Sequence, residues 1–121
     1  MRQLKVVQSG QLHQGSVNFL QSTSSGLLVT GSADKTVKLF DMRKGLNAPL
    51  LKMQATDAVF CGDILDDHLA LVGTGDGNLL AFDLKGNGEC LYGYGADEAG
   101  AVHCMKIAPD KRSVITCGDS G

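Results

Sequence analysis

The sequence predicts an all-β protein assembled from repeated four-stranded antiparallel sheets, and three observations predict it. The run from Gly31 to Asp41 (GSADKTVKLFD) is matched 42 residues later by the run from Gly73 to Asp83 (GTGDGNLLAFD), and a third copy opens a further 43 residues on, at Thr116-Cys117-Gly118-Asp119. Short apolar runs bounded by Gly, Asp, Asn or Ser recur along the chain, the pattern of strands of about five residues joined by tight turns. No stretch carries sustained helical periodicity. A fixed period of this length marks modular units that each bury one face against the next, which suits surface display more than bond chemistry.

Taken in order, strands are expected over residues 4–8, 16–21, 27–31, 37–41, 50–54, 58–64, 69–73, 79–83, 90–94, 101–107 and 113–117. The four strands of one unit are called a, b, c and d. Each a-to-b turn has its own polar signature: Ser24-Ser25-Gly26, then Asp66-Asp67-His68, then Pro109-Asp110-Lys111. Because these turns also keep the period, the repeat extends beyond a single motif. The units run over about 13–54, 55–96 and 97–121, the last cut short, with a d-type strand in residues 1–12 ahead of them.

Composition narrows the function classes. The 121 residues are 43% hydrophobic, enough for a packed core, and a net charge of -2 argues against nucleic acid or an anionic membrane as partner. Apolar runs such as Leu69-Ala70-Leu71-Val72 are far shorter than a bilayer span, so an intracellular protein, cytoplasmic or nuclear, is expected. Four cysteines, Cys61, Cys90, Cys104 and Cys117, form no Cys-x-x-Cys pair, so neither a zinc knuckle nor a structural disulfide is expected. The period places Phe19, Cys61 and Cys104 at one apolar position of successive units, where a reduced cysteine packs as a small hydrophobe.

The segment Ser32 to Asp41 resembles the end of a WD-repeat unit, with Phe40 where the signature Trp stands, and His13 resembles the His that opens such a unit. This resemblance implies blades of a β-propeller in an incomplete ring, the missing blades coming from the same full-length chain. Two units and a half fall short of the four to eight blades that propellers use, so a piece of a longer protein is expected, continuing after Gly121 if Met1 is the true start. The isolated piece is not expected to be an independently stable monomer.

The resemblance also implies an internal blade network of His13, Thr30, Asp34 and Phe40. Three polar members remain and the indole donor is absent. In the second unit Val72 takes the place of Thr30 and no His precedes strand a, while counting by the period puts Ile115 at that place in the third. Those units are expected to rely on apolar packing and to be less rigidly specified. Around strand a, the positions that meet partners in the family are Ser16 and Asn18, Ala58 and Phe60, and Ala101 and His103. Phe60 is the expected anchor, its ring at the loop-bearing rim if Val59 and Cys61 face the other way, with His103 beside it on the next unit.

Other strings are weaker. Gly118-Asp119-Ser120-Gly121 occurs around the nucleophile of trypsin-like proteases, but catalysis would require a His, an Asp and an oxyanion pocket that this chain does not assemble. The run from Gly73 to Gly77 lacks the following helix that a phosphate loop needs, and reads as a hairpin turn whose glycines permit positive φ. Asp66-Asp67-His68 reads as a solvated turn in preference to a cation site. Lys35, Lys38, Arg43 and Lys44 read as a solvated edge. The expected function is a non-catalytic scaffold that binds other proteins without a cofactor. The alternatives are the substrate receptor of a ubiquitin ligase, as in F-box proteins with WD repeats, and an enzyme with its site in the central channel.

Overall fold

A computed structural model describes residues 11–96 and 100–119. The strand expected over 4–8 lies outside them. The described residues form two four-stranded antiparallel sheets and a hairpin. β1 (Val17–Ser22), β2 (Leu27–Ser32), β3 (Thr36–Asp41) and β4 (Leu51–Gln54) make the first sheet in sequence order. β5 (Val59–Leu65), β6 (Leu69–Thr74), β7 (Asn78–Asp83) and β8 (Cys90–Gly95) make the second, and β9 (Val102–Ile107) pairs with β10 (Val114–Gly118). Strand ends differ from the sequence expectation by a residue or so, within the ordinary uncertainty of element boundaries.

The central strands read as near-continuous apolar runs because both their faces are covered. Val29 and Val37 in the first sheet, and Val59, Ala70, Val72 and Phe82 in the second, share one core that spans the two sheets. Each seam brings a glycine under a neighbour's side chain. A Cβ on Gly31 would lie 2.6 Å from Val59 Cγ1, and one on Gly62 would lie 2.7 Å from the Phe19 ring. Farther out, Met53 of β4 is covered by the loop after β7, where a Cβ on Gly88 would stand 2.7 Å from its Cγ. Tyr94 and Tyr92 of β8 occupy the places of Met53 and Leu51 in the ladder and are exposed. Val17 and Leu20 are exposed on the opposite end of the arc.

Two turn expectations are corrected. Of the glycines from 73 to 77, only Gly77 has positive φ, 84°, and Lys35 takes the same place in the first sheet at 73°. Gly73 serves close packing instead. The Asp66-Asp67-His68 turn is more than a solvated loop, because Asp67 accepts from the Ser24 amide at 3.1 Å and from its hydroxyl, while Asp66 accepts from Lys111. One turn therefore joins all three units along the face opposite the rim.

Register corrects the third unit. Ile64 pairs with Ala70 in the second, whereas Ile107 pairs with Val114 in the third, so the third a-to-b turn holds one residue more. Everything after that turn is offset by one. Thr116, not Ile115, stands opposite Met105 as Val72 stands opposite Gly62. Asp119 likewise takes the place of Ala33 and Gly75: its amide donates to the Ala101 carbonyl as theirs donate to Ser16 and Ala58. The residue in step with Asp34 and Asp76 is Ser120, outside the described residues.

Candidate functional site

Inside the first sheet, three side chains converge on buried His13. Its Nε2 lies 2.6 Å from Thr30 Oγ1, and its Nδ1 lies 3.0 Å from Asp34 Oδ2 and 3.0 Å from Thr36 Oγ1. A neutral ring protonated on Nδ1 satisfies the chain: Thr30 donates to Nε2 and Nδ1 donates to Asp34. Asp34 also accepts from the Gln14 amide at 3.0 Å and from the Thr36 amide at 3.0 Å. Burial by itself would raise its pKa, but the bonds from Thr36, Gln14 and His13 outweigh it and hold the carboxyl well below the usual range. His13 moves down as well, because burial disfavours its cation by more than the neighbouring Asp34 favours it.

This arrangement is a structural link. The His13 side chain is fully buried, and its ring nitrogens are committed to Thr30, Asp34 and Thr36 of the sheet. Phe40, also fully buried, packs in place and lines a cavity of about 310 Å³ with Lys38, Leu46 and Pro49. Thr36 was missed by sequence reasoning. Its signal was its place two residues after Asp34, where an Asp in a turn caps the amide ahead. In the second sheet no His stands near Val72, yet its turn is bonded more fully than expected. The Thr74 hydroxyl meets Asp76 and accepts from the Asn78 amide at 3.1 Å, and Asn78 Nδ2 reaches Thr56 Oγ1 at 3.3 Å.

At the rim, β-bulges fall at one place in each unit. The ladder skips between Val17 and Phe19, between Val59 and Cys61, and between Val102 and Cys104. A bulged residue loses its partner on the neighbouring strand and its side chain is re-aimed. Asn18, Phe60 and His103 are those residues. Val59 and Cys61 point into the core, so Phe60 is left half-buried at the edge. Its ring stacks on His103 of the next unit, centroids 5.4 Å apart and planes 22° from parallel. His103 Nε2 meets Asp119 Oδ1, and the other Asp119 oxygen accepts from the Ala101 amide at 3.0 Å. Asn18 is exposed and donates to the Val59 carbonyl at 2.9 Å, tying the first unit to the second.

The remaining candidates separate. Ser16 is exposed and Ala58 half-buried, each offering its carbonyl to the turn above, whereas Ala101 is buried and cannot meet a partner through its side chain. Of the basic cluster, Arg43 is paired with Asp41 at 3.1 Å and Lys38 donates to the Leu12 carbonyl at 2.7 Å. Phe19 and Cys61 share one buried position as expected. Cys104, at the same place, is exposed, because among the described residues no further sheet packs on it. Burial pushes the Cys61 thiol up to about 11. Among the described residues no three His, Cys, Asp or Glu side chains cluster as metal ligands do.

Comparison with known proteins agrees with this geometry. The profile of the WD domain, G-beta repeat, matches residues 4–41. Among solved structures, the chain is similar to the WD40 beta propeller domain of Doa1, with a TM-score of 0.77 and 27% identity over 90% of this chain and 36% of that one. No curated protein sequence matches significantly. The chain spans little more than a third of the Doa1 chain's length, and its described residues form a partial propeller of the WD-repeat type: two four-stranded blades and a hairpin of a third in an unclosed ring. Propellers of this kind serve in general as protein-interaction scaffolds.

Proposed function

We propose that this arc is a non-catalytic binding platform within a multiprotein complex, and that its partner meets the rim formed by Asn18, Phe60 and His103. The observation that carries the reading is the Phe60–His103 stack, which joins two blades at the bulge positions and stands at the edge of the core. An aromatic ring held there is already ordered, so a partner that covers it loses little conformational freedom. Asp63, the acidic side chain of the inner strands, supports a non-catalytic reading: it accepts from the Ile64 and Ile107 amides at 2.9 Å each and so seals a seam between blades.

The reading carries with it a protein partner in preference to nucleic acid or membrane, no cofactor, and a cytoplasmic or nuclear location. The test is Phe60→Ala in the longest available reading frame, with partner capture from native extract compared with the parent by quantitative mass spectrometry. A loss of specific partners with the melting temperature held supports the rim, since truncating an interface anchor costs about 2 kcal/mol or more. A large fall in melting temperature instead assigns Phe60 to packing and removes the site.

A further inference from the structure

Within the third unit, Cys104 of β9 and Cys117 of β10 are direct partners in the antiparallel ladder. Directly opposed residues project from the same face of a sheet, with Cα atoms about 4.5 to 5.5 Å apart, inside the range that a disulfide spans. Both thiols are free, and among the described residues nothing covers either side chain. We propose that Cys104 and Cys117 are a reversible dithiol, converted to a cross-strand disulfide by a small-molecule disulfide such as oxidised glutathione.

The two preceding blades show why this pair stands out. At the same ladder position the first blade pairs Phe19 with Gly31 and the second pairs Cys61 with Gly73. The glycine in each is needed: a Cβ there would lie 2.6 Å from Val59 or 2.7 Å from Val102 of the following unit. Only the third unit places a side chain at the glycine position, and that side chain is a second thiol. An oxidised pair would occupy the surface on which the earlier blades seat their neighbour. Bond formation and the seating of a further sheet therefore compete for one face.

The chemistry closes without any other reactant. One thiolate attacks a sulfur of oxidised glutathione and expels glutathione thiolate, leaving a mixed disulfide on the protein. The second cysteine attacks the protein sulfur of that bond and expels the second glutathione thiolate. Two protein thiols are oxidised, one glutathione disulfide is reduced to two glutathiones, and the two protons pass to the leaving thiolates. Cys61 does not compete, because burial keeps its thiol protonated at neutral pH.

The experiment equilibrates the full chain with graded ratios of reduced and oxidised glutathione, in native buffer and in urea, followed by trypsin digestion and mass mapping. Cleavage after Lys106, Lys111 and Arg112 separates the two cysteines. The expected result is a cross-link between them, formed about tenfold more readily in native buffer than in urea, abolished by Cys104→Ser and by Cys117→Ser and retained in Cys90→Ser. Glutathione adducts without the cross-link, a cross-link that depends on Cys90, disulfide-linked dimers in place of the internal bond, or equal yield in urea would each overturn the proposal.

Discussion

Gly73 lies directly beneath Val102 of the next unit, so close that a Cβ added to it would stand 2.7 Å from Val102 Cγ1. Gly73→Ala should therefore destabilise by about 1 to 3 kcal/mol, the usual cost of overfilling a packed site. Val102→Ala in the same chain should recover part of that loss. A double-mutant cycle by denaturant unfolding at fixed protein concentration checks it, and additive effects would mean that the seam is not where the strain falls.

Thr30→Ala should cost about 1 to 2 kcal/mol, because His13 Nε2 would keep its buried place and lose its donor. Val72→Thr should bring no gain. The second blade has Ala55 where His13 would be in step, so the added hydroxyl meets no ring nitrogen. Unfolding midpoints of the two variants beside the parent decide the matter, and negligible effects of both Thr30→Ala and His13→Ala would dissolve the network.

Acid should weaken the first blade in two stages. His13 has a folded pKa below its ordinary 6.5, so the unfolded chain takes up the proton first. Its contribution is fully present above 6.5 and is lost as pH falls through that value towards the folded one. Asp34, depressed below 3.8, contributes stability above 3.8 that is lost at lower pH. Thermal midpoints from about pH 8 to about pH 5 should decline in the parent and stay flatter in His13→Gln. Parallel curves for the two would rule His13 out as the source.

Among the described residues, apolar side chains stand exposed at both ends of the arc: Val17 and Leu20 at one end, Tyr92, Tyr94 and Ile115 towards the other. Open faces of this kind favour association. Sedimentation velocity over a range of concentrations should show the 121-residue chain self-associating. Leu20→Ser should reduce the larger species, and a monomeric profile with a cooperative, reversible melt in the parent would show that the ends need no cover.

Much of this was legible in the sequence because it is local or strictly periodic. Strand positions follow from alternation and turn residues, and His13, Thr30 and Asp34 come together because each keeps its place in the first repeat. Phe60 and His103 proved adjacent for the same reason, their spacing equalling the repeat length. The third unit was misread where one residue enters the turn after Ile107. A one-residue slip exchanges the two faces of a strand, so Ile115 was given the place that Thr116 holds. Contacts between blades were also hidden: Asp66 and Asp67 look solvated in the sequence because Lys111 and Ser24 lie more than forty residues away along the chain.

The bulge repeated beside Val17, Val59 and Val102 divides labour between adjacent letters of the chain. The valine is the same in all three units, Val59 and Val102 buried at seams and Val17 exposed at the end of the arc, whereas the next residue is Asn18, Phe60 or His103. A position excused from the ladder can change its chemistry without breaking strand pairing, although Asn18 and the Phe60–His103 pair also bridge blades. On the rim proposed above, specificity would change by altering one residue per blade, with the neighbouring valines as fixed punctuation.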